Sequence, residues 1–228
     1  MNFALESTIL SELVKCFSEK DNVIRELASR AVLKVANTEK GRQTLVENKI
    51  VKDIRKLFDD SEVQIRKNSY IALINLAQFT FGIDSVIDFD ILPVLIDKLV
   101  IEKVEEILIL ILQLLKILTE GEKAPHILLG VPSLNRLNSH LTSKNALIRE
   151  LAALNLGSIS YNMRGKERTI EAKSIPPLCQ MLHDEVSEVR TAATRALASL
   201  AQLKAGKIEI YDLDMLDRVI ELLYDDCD

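Results

Sequence analysis

The sequence contains no tryptophan, and aromatic residues make up only 4% of its 228 residues. Hydrophobic residues nevertheless account for 48% of the chain, so the core must be built from aliphatic side chains. The three cysteines, Cys16, Cys179 and Cys227, are odd in number and form no CxxC pair. This argues against a disulfide framework and indicates a reducing compartment. We expect Cys16 and Cys179 to pack as small core residues.

The sequence also lacks a long apolar run and an excess of positive charge. Its most apolar stretch, residues 107–118, contains Gln113 and Lys116 and is shorter than the ~20 apolar residues of a membrane helix. The N-terminal residues show no basic region followed by an uninterrupted apolar stretch, so we expect no secretory signal and a cytoplasmic location. A net charge of −5 provides no basic field for nucleic acid or an anionic membrane. We therefore expect neither as a partner.

Motifs of known chemistry are absent as well. His126, His140 and His183 are scattered, and there is no HExxH, no paired Cys/His spacing and no glycine-rich phosphate loop. We therefore predict that the chain is not an enzyme. We expect no catalytic, metal or cofactor site and no small-molecule substrate.

A regular series of arginines is present instead. Arg25, Arg66, Arg149 and Arg190 are separated by 41, 83 and 41 residues, and Ile107 divides the middle interval into 41 and 42. A period of roughly 40 to 47 residues is typical of armadillo and HEAT arrays. The sequence therefore predicts an all-α, right-handed superhelical solenoid of about five armadillo/HEAT-like repeats. We expect a single armadillo-repeat domain over residues 1–228, with the last repeat incomplete.

Each repeat contains the pattern of three helices. An apolar pair at i, i+4 recurs six times at the same period and predicts a second helix; its members are Leu13/Phe17, Ile54/Phe58, Leu95/Leu99, Leu137/Leu141, Leu178/Leu182 and Val219/Leu223. Apolar residues after each arginine predict a longer third helix. We expect the glycines that follow, Gly41, Gly82, Gly165 and Gly206, to break the chain before a short first helix. Acidic residues then precede the next helix, where they would favour its N-terminus; they are Glu47, Asp88, Glu171 and Asp212.

The four arginines are interpreted as a structural ladder that ties each repeat to its neighbour. A cation near a helix start is disfavoured, so each arginine should have a partner that offsets this cost. Carboxylates suit the role because they bind arginine through two parallel hydrogen bonds. The candidate partners are Asp60, Glu62, Asp184 and Glu188.

The last repeat has no third helix in its sequence pattern. Val219, Leu222 and Leu223 precede the final residues YDDCD, and the apolar face they form would have no partner within the chain. Solenoid ends normally carry a polar cap. Either the array is an incomplete version of a longer one, or another molecule covers this end.

A concave surface is predicted along the third helices, which line that face in armadillo proteins. Positions five and nine residues after each arginine, with Lys67, give the candidate partner-binding residues Arg30, Lys34, Lys67, Ile71, Asn75, Leu112, Lys116, Leu154, Ser158 and Arg195. A surface with apolar residues in the middle and basic residues at both ends suits an acidic or apolar protein segment. Alternatively, Ile71, Leu112 and Leu154 pack inward, and the cations form a solvated face.

Importin-type armadillo proteins carry tryptophan and asparagine at these two positions. This chain has no tryptophan and only Asn75 at the second one. We therefore do not expect it to bind nuclear localisation signals.

Three segments carry a more specific resemblance, namely Gly41 to Ala77, NVIRELASRAVLKVA near the start and DEVSEVRTAATRALASLA near the end. They resemble the radial spoke head 14 homologue family of axonemal armadillo proteins, with the combination GR, VE, IV, DD and IRKN (Ile65 to Asn68) as its most specific part. Members of that family generally have more repeats than this chain, and no binding residues can be transferred from them.

The resemblance implies a non-enzymatic scaffold subunit of the radial spoke in the axoneme of a cilium or flagellum. Its partners would be other radial spoke subunits. The alternative is a soluble armadillo adaptor, or an assembly or transport factor for cytoplasmic clients.

Overall fold

The computed structural model describes residues 3–222, which fold into α-helices and two 3-10 helices without any β-strand in that range. The predictions for Leu223 and Cys227 lie outside these residues. The α-helices are α1 (Phe3–Lys15), α2 (Asn22–Ala36), α3 (Glu39–Glu47), α4 (Val51–Ile54), α5 (Val63–Leu76), α6 (Thr80–Ile87), α7 (Ile91–Ile101), α8 (Glu105–Leu118), α9 (Ala124–Leu129), α10 (Ser133–Asn138), α11 (Ala146–Ile159), α12 (Met163–Glu171), α13 (Ile175–Met181), α14 (Ser187–Leu200), α15 (Lys204–Asp212) and α16 (Leu216–Glu221). The 3-10 helices, Cys16–Ser18 and Arg55–Asp59, extend α1 and α4.

The helices recur in the predicted order of a short first helix, a second helix and a longer third helix. The third helices are α2, α5, α8, α11 and α14. The described residues begin with α1 and end with α16, which are both second helices by their position in the repeat. Most members of the apolar pairs of the second helices face the core, whereas Leu13 and Val219, in the first and last described pairs, are half-buried. The buried members are Phe17, Ile54, Phe58, Leu95, Leu99, Leu137, Leu141, Leu178 and Leu182.

Backbone packing divides the described residues into two compact units. The first unit comprises residues 3–94 and 102–121, and the second comprises residues 95–101 and 122–222, so that the division falls within α7. In the first unit, α5 packs against α2 and α8. In the second unit, α11 and α14 form the most extensive helix pair. Whether the chain behaves as one domain stays a prediction.

Two of the third helices, α2 and α11, begin after a residue whose side chain caps the helix. The side chain of Asp21 accepts a hydrogen bond from the backbone N–H of Val23, and Asn145 accepts one from Leu147. Each such bond satisfies an N–H that the helix itself cannot pair and contributes about 1 kcal/mol. The arginines of the ladder follow directly, as the fourth residue of α2, α5, α11 and α14.

The glycines of the repeat do not break the chain, contrary to the expectation. They are the third residue of the first helices α3, α6, α12 and α15, and no described glycine has a positive φ. A Cβ at Gly41, Gly82, Gly165 or Gly206 would lie 1.8 to 2.3 Å from the carbonyl oxygen six residues earlier. Glycine therefore lets each first helix start against the end of the preceding third helix.

The sharp turn between first and second helices lies at a different residue. Lys49, Asp90, Lys173 and Asp214 have φ of 54 to 59°, a left-handed conformation that is uncommon outside glycine. Two of the acids that precede this turn bind within their own helix, since Glu47 accepts from Gln43 and Glu171 from Arg168. The predicted interaction of these acids with the following helix stays a prediction.

Candidate functional site

The arginines of the third helices reach carboxylates about 35 residues later in the chain. In the first unit, Arg25 donates from Nε and Nη2 to Asp60 at 2.7 and 3.1 Å, and Arg66 donates to Glu102 at 3.2 and 3.3 Å. In the second unit, Arg149 donates to Asp184 at 2.7 Å from both nitrogens. Each pair ties a third helix to the segment that leads into the next third helix of the same unit.

The remaining nitrogen of each guanidinium binds the backbone before its own helix. Nη1 of Arg25, Arg66, Arg149 and Arg190 donates to two carbonyl oxygens five and six residues earlier. Each arginine therefore holds the turn that precedes its own helix and also binds the next repeat. For Arg25, Arg66 and Arg149, the cost of a cation near a helix start is thereby offset by four hydrogen bonds each, two to a carboxylate and two to backbone carbonyls.

The ladder carboxylates have lowered pKa values despite their burial. Burial by itself would raise the pKa of Asp184, but the hydrogen bonds from Arg149 and from the backbone N–H of Val186, with the charges of Arg149 and Arg190, outweigh it. The same balance lowers the pKa of Asp60 through Arg25 and the N–H of Glu62. For Glu102, burial is outweighed by the N–H of Val104 and by Arg66. All three carboxylates are therefore ionised in the folded protein at neutral pH.

A hydrogen bond between the side chains of α5 and α2 also joins two third helices, and it was not predicted from the sequence. The side-chain amide of Asn68 in α5 donates to Oγ of Ser29 in α2 at 2.9 Å, and both residues are buried. Gln64 donates to Asn68 one turn earlier. Polar residues within an otherwise apolar helical stripe are the sequence signal that could have indicated this contact.

In the first unit, the candidate partner-binding surface has exposed cations on α2. Three of its other polar residues already contact side chains of the same unit. Arg30 and Lys34 are exposed, and neither forms an ion pair among residues 3–222. Lys67 is paired with Glu106, and Lys116 lies 3.5 Å from Glu120. The amide of Asn75 donates to the side chain of Asn37 at 2.6 Å, and Ile71 is half-buried.

Leu112 does not lie on this surface, although the sequence placed it there. Its side chain is fully buried, because α8 is apolar around most of its circumference and buries residues on more than one face. The inward-packing alternative therefore holds for this residue. Ile107, which replaces the arginine in the same helix, is fully buried as well.

In the second unit, the candidate partner-binding residues lie near both positive and negative side chains. Arg195 is exposed, whereas Leu154 and Ser158 are half-buried, and Ser158 Oγ donates to the carbonyl of Leu154 at 3.0 Å. Glu150, one turn before Leu154, has a raised pKa because it is partly buried and lies near the charge of Glu188. This part of the surface carries both signs of charge.

Cys16, Cys179 and His140 are partly or fully buried. Cys179 is buried, and burial, with the charge of Glu209, raises the pKa of its thiol to about 11. Cys16 is half-buried and its thiol lies 3.5 Å from the carbonyl of Glu12. Nε2 of His140 lies 2.9 Å from the carbonyl oxygen of Leu99, and burial lowers its pKa.

Between residues 3 and 222, no group of three His, Cys, Asp or Glu side chains is placed to hold a metal ion. No helix in the same range has the length and apolarity needed to cross a membrane.

Comparison with known proteins identifies the type of repeat. The HEAT repeat family model matches residues 175–203, which run from the start of α13 to three residues after α14. No curated protein matches the chain.

Many solved structures resemble the fold. An engineered protein of the Northeast Structural Genomics Consortium aligns with a TM-score of 0.84 and 23% identity over 98% of this chain and 90% of that chain. The designed armadillo repeat protein YIII(Dq)4CqI gives a TM-score of 0.83 with 22% identity over 93% and 91%. A further designed armadillo repeat protein, in complex with the peptide (KR)4, gives 0.84 and 22% over the same shares. The predicted all-α armadillo/HEAT repeat fold is thereby confirmed.

Proposed function

We propose that this chain is a non-enzymatic scaffold that binds a segment of another protein along the third helices of its first unit. The central observation is the pair Arg30 and Lys34, one helical turn apart on α2 and both exposed without an ion pair among the described residues. Such a pair stands out in a chain with a net charge of −5. Exposed cations of this kind favour an acidic partner and raise its rate of association.

The neighbouring helix α5 supplies the rest of the proposed surface. Ile71 offers an apolar contact, and Asn75 keeps an acceptor oxygen while its amide binds Asn37. Lys67 and Lys116 already have acidic neighbours, so they contribute less net charge. The partner that fits is an acidic segment with an apolar residue that reaches Ile71.

The second unit contributes a smaller contact in this proposal. Arg195 is its exposed cation, and Leu154 with Ser158 provides a half-buried apolar and hydroxyl surface. Because Glu150 and Glu188 are close to each other, an acidic segment gains less here than on α2. We expect this contact to refine the choice of partner and to contribute little to affinity.

The proposed setting is the radial spoke, and the partners would be other spoke subunits. The resemblance of the segments quoted above to axonemal armadillo proteins supports this assignment. The armadillo/HEAT fold supports the wider role, since solenoids present long surfaces to other macromolecules. The designed protein that holds the peptide (KR)4 illustrates that a related fold can hold a linear segment.

The test uses tagged chain produced in cells with motile cilia. A structural subunit should stay with axonemes after detergent and salt washing, whereas an adaptor or transport factor should be washed away. Affinity purification then compares the unchanged chain with the double variant Arg30→Glu/Lys34→Glu. We expect the variant to recover its spoke partner at least tenfold less efficiently.

The matched control reverses two charges elsewhere, with Lys20→Glu/Lys52→Glu at two exposed lysines outside this surface. Its partner recovery should be unchanged. Equal recovery by both double variants in folded protein would refute the proposed surface. Complete loss from washed axonemes would refute the radial spoke assignment and favour the adaptor.

A further inference from the structure

A pocket of about 270 Å³ lies in the second unit between α10, α12 and the turn that joins α9 to α10. Its lining has an apolar wall of Leu129, Val131 and Leu134 and a polar rim of Asn135, Arg168 and Glu171. Helices of the same unit precede and follow the pocket in the chain, from α9 to α16. A further repeat would stack on an end of the array, so the opening of this pocket does not depend on where the sequence ends.

The lining residue Ala172 occupies a position that recurs in the repeat. It directly follows α12 and precedes Lys173, whose φ is 59°. Asn48, Phe89 and Leu213 have the same position, since each directly precedes a residue with positive φ. Ala172 therefore has the smallest side chain of the four.

The turn that contains Phe89 in the first unit makes the same backbone contact as the turn that contains Ala172. The carbonyl oxygen of Phe89 accepts from Nη1 of Arg55 at 3.2 Å, and that of Ala172 accepts from the side-chain amide of Asn138 at 2.9 Å. Both donors and both acceptors are 83 residues apart. The two turns are therefore equivalent, and the first unit has a half-buried phenylalanine side chain where the second has only a methyl group.

The apolar wall of the pocket is also less covered than its counterpart in the first unit. Val51 is the equivalent of Leu134, and it is 0% exposed, whereas Leu134 is 9% exposed. The pocket volume lies just below the roughly 300–1,000 Å³ of pockets that hold drug-sized ligands. One large side chain therefore suits the pocket better than a cofactor.

The polar rim carries no net charge. Nη1 of Arg168 lies 2.9 Å from Oε2 of Glu171, and Asn135 is neutral. The backbone of an uncharged segment can bind all three side chains, because together they provide donors and acceptors. The chain's own residues outside 3–222 suit this rim less well, since their one aromatic residue, Tyr224, is followed by three aspartates within residues 225–228.

We propose that this pocket binds an aromatic side chain on an uncharged segment of another protein. The ring takes the place that Phe89 has in the equivalent repeat, and the backbone of the segment binds the polar rim. No lining residue belongs to a third helix, so the pocket is distinct from the Arg30/Lys34 surface. It adds a contact to the proposed scaffold role and does not depend on the radial spoke assignment.

The probe is the peptide acetyl-Ala-Phe-Ala-amide, titrated into full-length chain with isotope-labelled leucine and valine methyl groups. We expect saturable NMR shifts at Leu129, Val131 and Leu134. Ala172→Phe should weaken binding at least about tenfold, because its own ring leaves no room for a second one. The matched control Ala205→Phe adds the same ring at an exposed alanine of α15 outside the pocket and should bind like the parent chain.

Further variants separate the ring from the backbone of the segment. Arg168→Ala should weaken binding of the peptide but not of benzyl alcohol, which has a ring and no peptide backbone. A peptide with alanine in place of phenylalanine should not bind. Circular dichroism shows whether Ala172→Phe is folded, and Ala172→Leu, which introduces the side chain of the equivalent Leu213, is a second variant that should fill the pocket and weaken binding.

Four results would overturn the proposal. The first is the lack of saturable binding up to the solubility limit of the peptide, or equal binding by the parent chain and folded Ala172→Phe. The second is equal affinity for benzyl alcohol and the peptide, which would indicate a site for a free small molecule. The third is tighter peptide binding by Tyr224→Ala, which would make this chain's own terminal residues the occupant. The fourth is a dimer in sedimentation velocity that Ala172→Phe dissociates, because the occupant would then be a second copy of this chain.

Discussion

Arg149 and Asp184 are joined by two parallel hydrogen bonds, from Nε to Oδ2 and from Nη2 to Oδ1, each 2.7 Å long. The carboxylate also accepts the backbone N–H of Val186 at 3.0 Å, directly before α14 begins. One acidic side chain therefore fixes both the turn into a third helix and its contact with the preceding one. The Arg25–Asp60 pair in the first unit repeats this arrangement.

Loss of this carboxylate should destabilise the second unit. We predict that Asp184→Asn lowers the free energy of unfolding by about 2 kcal/mol, because the partly buried guanidinium of Arg149 loses a charged acceptor. Urea denaturation monitored by circular dichroism measures the change. Asp212→Asn, at an exposed acid of α15, is the control and should change stability by less than about 0.5 kcal/mol.

The ladder also predicts a loss of stability in acid. Asp60, Glu102 and Asp184 have pKa values below those of the unfolded chain. Their contribution is therefore fully present above the unfolded pKa, near 4, and is lost as the pH falls through the lower folded values. We expect the free energy of unfolding to fall steadily below about pH 5, and to fall less steeply for Asp184→Asn. Parallel pH profiles for the two proteins would show that Asp184 does not contribute.

Two glycines of the second unit should respond in opposite directions to alanine. At Gly165, an added Cβ would lie 1.9 Å from the carbonyl oxygen of Ile159, so we predict a loss of at least about 2 kcal/mol. At Gly157, in the last turn of α11, the nearest atom would be 3.5 Å away, and the higher helix propensity of alanine should stabilise the protein by up to about 1 kcal/mol. Thermal and urea unfolding of both variants provide the comparison. A stable Gly165→Ala protein would contradict the close packing of α12 on the end of α11.

The hydroxyl of Tyr70 should be dispensable for stability. Its ring is fully buried and stacks on Phe58 with the centroids 4.1 Å apart, but among residues 3–222 the hydroxyl has no hydrogen-bond partner. Because a buried unsatisfied hydroxyl costs about 1 to 3 kcal/mol, Tyr70→Phe should raise the free energy of unfolding by about 1 kcal/mol. Tyr70→Leu keeps an apolar side chain but removes the stacking, and it should lower stability. If Tyr70→Phe were clearly destabilising in urea denaturation, the hydroxyl would have a partner after all.

The sequence predicted the helical repeat well because its signals are local. Apolar spacing of three and four identifies the third helices, and the arginine period sets their register. Asp60 and Asp184 are two of the four acids proposed as arginine partners. Glu102 was missed because it precedes Ile107, where the arginine series is interrupted.

The surface was harder to predict, because the rotation of a helix about its axis depends on its tertiary contacts. Leu112 has the same position in its repeat as the exposed residues Arg30 and Arg195, yet it is fully buried. The role of Gly165 also needed coordinates, since the carbonyl it approaches belongs to a different helix. The repeat period and the composition do not show how a helix is rotated or which backbone atoms of another helix approach a glycine.

The central claim is that the third helices of the first unit contact other subunits of the radial spoke. Lysine-reactive cross-linking and mass spectrometry on intact, washed axonemes test it most directly. We predict cross-links from Lys34 to an acidic segment of a spoke subunit, and few or none from Lys49 and Lys52, which lie outside the proposed surface. Cross-links to spoke subunits from Lys49 and Lys52 but not from Lys34, or the absence of the chain from washed axonemes, would contradict it.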